Sequence, residues 1–279
     1  MRAGMLTKSL EQRQPGSTAN ETPSGSAPPS DFFKAAADIV EAGKKMDVQL
    51  RLLGATAIYY HCPKSASLTN SLNRPLTDLD FMALSKHVSR VPELFSRLKF
   101  VPNKHVNTLY GAKRQIYYDP NSSRQVDVFF DKLSFNHVID LTKRLDKDPL
   151  TISLSDLLLE KLQIVKMGEK DAKDTVVLLR EHEIGEGSAG QIESKYISKL
   201  LANDWGFYYT VMQNIKKVRD YANGVEFLSA QDKQTVVESL DELSLKIEAE
   251  PKSMGWKMRA RVGTRTSWYT EAEDVEHRK

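Results

Sequence analysis

The 279-residue chain carries one cysteine, Cys62, so it cannot form an internal disulfide. His61 beside it lacks the further Cys/His spacing of a zinc site, which leaves a buried or loop thiol as the simplest reading. No stretch approaches the roughly 20 apolar residues of a membrane span. Met1 to Gln14 mixes Arg, Lys, Glu and Gln without the apolar core of a secretory leader. These absences lead us to expect a cytoplasmic protein with no membrane partner. The formal net charge of +3 is too small to argue for a polyanion by itself.

Residues 1–30 are rich in Pro, Ser, Gly, Thr, Asn and Gln and read as a disordered tail. With Ser30 or Asp31 as cap, Phe32 to Val40 begins a helix. Val48 to Leu53 reads as a strand that stops at Gly54, and Ala55 to Tyr60 as the start of a helix. Leu76 to Met82 is strand-like, and Val88 to Leu98 has helical apolar spacing. Val106 to Leu109, Gln115 to Tyr118 and Gln125 to Phe130 read as a meander of strands. This order implies an α+β fold, a small mixed sheet with packed helices. Past residue 150 the chain reads as mainly helical. Ser155 is a candidate cap for a Leu-rich helix, and Ala172 to Arg180, Tyr196 to Ala202, a segment opening at Asp204, and Ala230 to Glu250 follow as helices.

Two acids sit inside an apolar run, Leu76-Thr77-Asp78-Leu79-Asp80-Phe81-Met82. In a strand, residues i and i+2 share a face. Asp78 and Asp80 would then stand side by side, where repulsion favours a shared proton or a cation. Oxygen donors of this kind suit Mg²⁺. Asp127, in Gln125-Val126-Asp127-Val128, would complete a three-carboxylate cluster if its strand lay alongside, enough for phosphoryl or nucleotidyl transfer. On spacing alone, two acids flanking a turn and a solvated Asp127 fit as well. The strand, glycine turn and helix at Gly54-Ala55-Thr56-Ala57 would present backbone N–H groups to a phosphate.

Gly54-Ala55-Thr56-Ala57, then Asp78-Leu79-Asp80, then Asp127 resembles the pattern of the nucleotidyltransferase superfamily. It is most similar to the AbiEii-like branch, which includes toxin nucleotidyltransferases of toxin-antitoxin systems. A second block, Leu157 to Val165 around Lys161 followed by Glu169-Lys170-Asp171-Ala172-Lys173-Asp174, is similar to that branch's lysine helix and basic-Asp-x-x-Asp. The matches run from about Leu50 to Leu179. Two departures stand out: Ala55 occupies a position where the family has Gly or Ser, and the segment from His61 to Asn73 is longer than usual.

Composition and periodicity set a tail at 1–30 and a mainly helical domain at 151–279, and the resemblance makes 31–150 the catalytic domain. It implies Asp78, Asp80 and Asp127 as metal ligands and catalytic acids, with Mg²⁺ and a nucleoside triphosphate substrate. Gly54, Ala55 and Thr56 would bind phosphates. Arg74 and Lys161 would neutralise the triphosphate, and Asp174 would be the branch's functional acid. The acceptor would be RNA, such as tRNA, or protein, and a toxin role would imply a cognate antitoxin. From the residues themselves, Arg74 also reads as a solvated loop residue and Lys161 as a snorkelling one. Asp171 and Asp174 share a helix face and also read as partners of Lys170 or Lys173. Lys113, Arg114, Asn107 and Tyr110 either approach the nucleotide or face solvent.

Other functions compete. An antibiotic-type enzyme would keep the chemistry and use a small-molecule acceptor, and a non-catalytic nucleotide-binding module would keep only the fold. Near the C-terminus Lys252, Lys257, Arg259, Arg261 and Arg265 crowd with Trp256, Trp268 and Tyr269. Such a mixture can grip nucleic acid, yet Trp256 to Val262 alternates as a half-buried strand would.

Overall fold

The structure is a computed structural model that describes residues 29–65, 73–188, 190–226 and 228–271. The expectation of a disordered tail therefore lies outside the described residues, apart from the last two positions. So does most of the long segment before Arg74. Pro29 and Ser30 already belong to helix α1 (Pro29–Lys45). Phe32, Ala36 and Ile39, spaced along one face of α1, are buried.

The sheet is built from β1 (Leu50–Leu53), β2 (Asp78–Ala83), β3 (Val101–Pro102), β4 (Arg114–Tyr118) and β5 (Gln125–Phe130), in the order β1-β2-β5-β4-β3. Only β2 and β5 are parallel; the other pairs are antiparallel. A parallel pair needs a crossover. Here it carries α3 (Val91–Arg97), β3, α4 (Lys104–Tyr110) and β4. Val126, Val128 and Phe130 of β5 point into the core, leaving Gln125, Asp127 and Phe129 on the opposite face. Between β1 and β2 comes α2 (Gly54–His61), and after β5 a short hairpin, β6 (Lys132–Ser134) and β7 (Val138–Asp140).

Downstream, Leu150 to Ile152 runs along the outer edge of β1, with Leu52 N–H donating to Leu150 O and Ile152 N–H to Leu52 O, both at 2.9 Å. The edge is thereby covered. The same segment delivers α5 (Leu154–Leu162), all nine residues of which are buried, beneath the turn at Gly54. Helix α6 (Glu169–Glu181) packs on α5 and α2. A small parallel pair, β8 (Ile184–Gly185) and β9 (Ile192–Glu193), precedes α7 (Ser194–Leu201), α8 (Trp205–Gly224), α9 (Ala230–Ala249) and α10 (Met254–Val262). The buried apolar residues of sheet and helices form a continuous cluster from Phe32 to Ile247. Among the described residues no helix is long and apolar enough to cross a membrane.

Three local expectations are corrected. Val106 to Leu109 lies in helix α4, because the Asn103 side chain accepts from Val106 N–H and starts a turn. Trp256 to Val262 is helical rather than extended, with Ser253 accepting from Trp256 N–H. The cap of α5 is Ser153, not Ser155; Ser153 Oγ accepts from Asp156 N–H. Ser155 instead accepts from Glu193 N–H.

Several C-terminal cations and aromatics are engaged within the chain. Arg259 donates to the carbonyls of Gly263, Thr266 and Ser267 and lies over the Trp205 ring. Lys252 donates to the carbonyls of Ile247, Glu248 and Glu250, and Trp268 Nε1–H to Thr210 Oγ1. Cys62 is buried, and burial pushes its thiol above the ordinary range.

Candidate active site

Two of the three acids, Asp80 and Asp127, stand side by side on adjacent strands. Asp80 is in register with Asp127 across the parallel β2–β5 pair, and Asp78 with Gln125. Asp78 is exposed at the end of β2, Asp80 is half-buried and Asp127 is buried. On the other side, Leu53 at the end of β1 pairs with Asp80, so the chain leaves β1 directly over this carboxylate.

Gly54 makes that exit, at φ +75°, where glycine has no steric penalty. A Cβ built on it would lie 2.7 Å from Asp80 Oδ2. The glycine is thus fixed twice, by its dihedral and by the acid packed against it. Its N–H donates to Glu160 Oε2 at 3.0 Å, so the first amide of the turn is satisfied from within the chain. Thr56 is buried and its hydroxyl donates to the backbone O of Asp78 at 3.2 Å, tying α2 to the acid strand. Ala55 is partly buried beside them.

Behind the turn lies a buried ion network. Lys161 Nζ sits 3.3 Å from Glu160 Oε1 and 3.3 Å from Asp174 Oδ2. Arg74 then grips Asp174 with two parallel bonds, Nε–H to Oδ1 and Nη2–H to Oδ2, each at 3.0 Å. Arg74 is therefore no solvated loop residue, and Lys161 does not snorkel. Burial works against the Lys161 ammonium, but Glu160 and Asp174 outweigh it and hold it above its ordinary value. Burial likewise opposes charge on Arg74 and is overcome by Asp174. Asp171 is a more distant charge that also favours the Lys161 ammonium, and its carboxylate accepts from the Gly168 N–H at the start of α6.

Asp127 has partners on both oxygens. Arg114 Nε–H donates to Oδ1 at 2.6 Å and Gln125 Nε2–H to Oδ2 at 2.7 Å. Burial raises its affinity for a proton, partly offset by Arg114 and Gln125. Asp80 differs: among the described residues no hydrogen bond or ion pair falls on its carboxylate. Burial, with Asp78, Asp127 and Glu160 nearby, holds it well above the ordinary aspartate range.

The chemistry of the Asp78–Asp80 pair fits a hard divalent cation, since Mg²⁺ is commonly held by one or two carboxylates plus substrate phosphates. A carboxylate destabilised by like charge with no protein cation bound to it is the feature that fits. No group of three His, Cys, Asp or Glu side chains among the described residues is placed to share one ion. Asp127 is turned to Arg114 and Gln125 instead.

Gln125 and Glu160 are thus residues beside the acids that carried no assignment from the sequence, and Arg114 carried only an open one. Glu160 was visible as a second charge beside Lys161 in a run of leucines. Arg114 read from the sequence as either approaching the nucleotide or facing solvent; its contact with Asp127 needs the β4–β5 register, in which Asp127 faces Ile116 and Arg114 lies diagonally. Asn107 bonds both the N–H and the carbonyl of Ile116, and the Lys113 N–H donates to the Tyr110 carbonyl.

No family model matches the chain, and no curated protein matches it in sequence. Among solved structures it is similar to the crystal structure of an antigenic nucleotidyltransferase-like protein from Paracoccidioides brasiliensis. The TM-score is 0.37 and the identity 12%, with 80% of this chain and 95% of that one covered.

Proposed function

We propose that the chain is a metal-dependent nucleotidyltransferase, moving a nucleotide from a nucleoside triphosphate to an acceptor. The observation that carries this reading is the register of Asp80 with Asp127, directly beneath a positive-φ glycine turn that opens a helix. Asp78 and Asp80 would hold Mg²⁺, which when bound offsets phosphate charge. Arg74, Lys161 and Asp174, with Glu160, form the ion network behind the acids, and Gly54 to Thr56 set the approach to them. The sequence pattern supports the AbiEii-like branch, an RNA (such as tRNA) or protein acceptor and, in a toxin setting, an antitoxin partner.

A second reading has its own support. A non-catalytic nucleotide-binding module accounts for Arg114 and Gln125 occupying Asp127, and for Glu160 occupying the Gly54 N–H.

Incubating the protein with labelled nucleoside triphosphates, Mg²⁺ and total RNA separates the two. Label should pass to RNA, to the protein or to a small acceptor with the native chain, and not with Asp78→Ala/Asp80→Ala. Triphosphate binding without transfer in any of these fractions favours the module.

A further inference from the structure

The third acid of the site already holds a cation. Arg114 Nε–H meets Asp127 Oδ1 at 2.6 Å, and the guanidinium also lies 5.3 Å from the Phe129 ring centroid on the adjacent strand. The Arg114 side chain is 20% exposed and that of Asp127 2%, so the pair stands at the boundary between core and surface. Gln125 closes the other oxygen. A buried carboxylate needs such partners, and a charge-assisted contact of this length is among the stronger ones. A divalent ion shared by Asp80 and Asp127 would need an Asp127 oxygen, and each of the two already accepts a bond, from Arg114 on Oδ1 and from Gln125 on Oδ2.

The geometry points to Arg114 as an internal counter-ion that competes with a divalent cation for Asp127, so that the three-acid cluster takes up a cation more readily when Arg114 has left. This rests on the proposed nucleotidyltransferase reading for the cation's purpose, but not for its binding. Arg114 is thereby a positioning residue that sets how readily the cluster is loaded.

The test is direct binding of Mn²⁺ to the full chain, followed by the electron paramagnetic resonance of the free ion, without nucleotide and at fixed pH and salt. Arg114→Gln should bind Mn²⁺ about tenfold more tightly than the native chain, the order seen when groups around metal ligands are changed. The gain should vanish in Arg114→Gln/Asp127→Asn. Arg114→Lys, which keeps a cation, should stay near the native affinity. Equal affinity of the native chain and folded Arg114→Gln, including no binding by either, would overturn the proposal. If Arg114→Gln fails to fold, titration of the ¹⁵N-labelled native chain with Mg²⁺ decides. The Arg114 Nε–H resonance should shift on loading, and an unmoved resonance at saturating Mg²⁺ rejects displacement. Failure of nucleotidyl transfer would leave these binding outcomes untouched.

Discussion

Arg74 and Asp174, 100 residues apart, face each other through two parallel hydrogen bonds, and Asp174 is fully buried. Lys161 supplies its second cation. Replacing Arg74 by Ala strips a buried carboxylate of its better-oriented partner, and such breaks cost about 3 kcal/mol. Arg74→Lys keeps the charge without the planar fork and should lose about 1 kcal/mol. Urea unfolding of the two variants checks the order; equal losses would mean that charge alone matters here.

Gly54→Ala should be costly for its size. The new methyl must sit 2.7 Å from Asp80 Oδ2, on a residue at φ +75°. Strain of this kind costs about 1–3 kcal/mol, and Asp80 has to move. We expect a lowered melting temperature together with loss of transfer. A variant of native stability and native activity would show that the turn relaxes freely.

Asp80 gives a pH dependence of one sign. Its carboxyl is held well above the ordinary aspartate range in the folded chain by burial and by Asp78, Asp127 and Glu160. The native state therefore binds more protons than the unfolded state from about pH 3.9 upward, and stability falls as pH rises through the folded value. Asp80→Asn removes that loss. Its melting temperature should exceed the native one at pH 7, the gain should shrink towards pH 4, and transfer should be abolished. A variant less stable than native at pH 7 would contradict this.

His137 gives the opposite sign. It is buried, bonded through Nε2 to Thr210 Oγ1 and stacked on Phe207, and burial lowers its pKa from 6.5 to about 4. Between pH 6.5 and 4 the unfolded chain takes a proton that the native chain refuses, so stability drops as pH falls. His137→Gln should flatten this part of the acid limb in melting curves recorded from pH 7 to 4. An unchanged slope would assign the limb to carboxylates.

The parts of the fold legible in the sequence are those where composition and periodicity agree. Val126, Val128 and Phe130 alternate with Gln125, Asp127 and Phe129, and β5 lies there. Phe32, Ala36 and Ile39 mark α1. Where the two signals part, the reading fails. Val106 and Leu109 carry strand-like residues, but the Asn103 cap turns them into a helix. In α10 the alternation of Trp256, Met258 and Ala260 misled; Ser253 caps the segment, and Met254, Met258 and Val262, four apart, all stand exposed. At the site the three acids were legible because each interrupts an apolar run. Their partners were not. Arg114 and Glu160 reach Asp127 and Gly54 through strand register and helix packing, which no local pattern encodes.

The covering of the β1 edge by Leu150 to Ile152 sets an order of assembly. A nascent chain that has emerged only as far as β5 possesses all three acids but neither Glu160 to hold the Gly54 turn nor Asp174 to hold Arg74. During synthesis the acids are thus exposed first and framed last. Termination between Phe130 and Asp174 therefore yields a fragment with all three acids and without the complete frame around them.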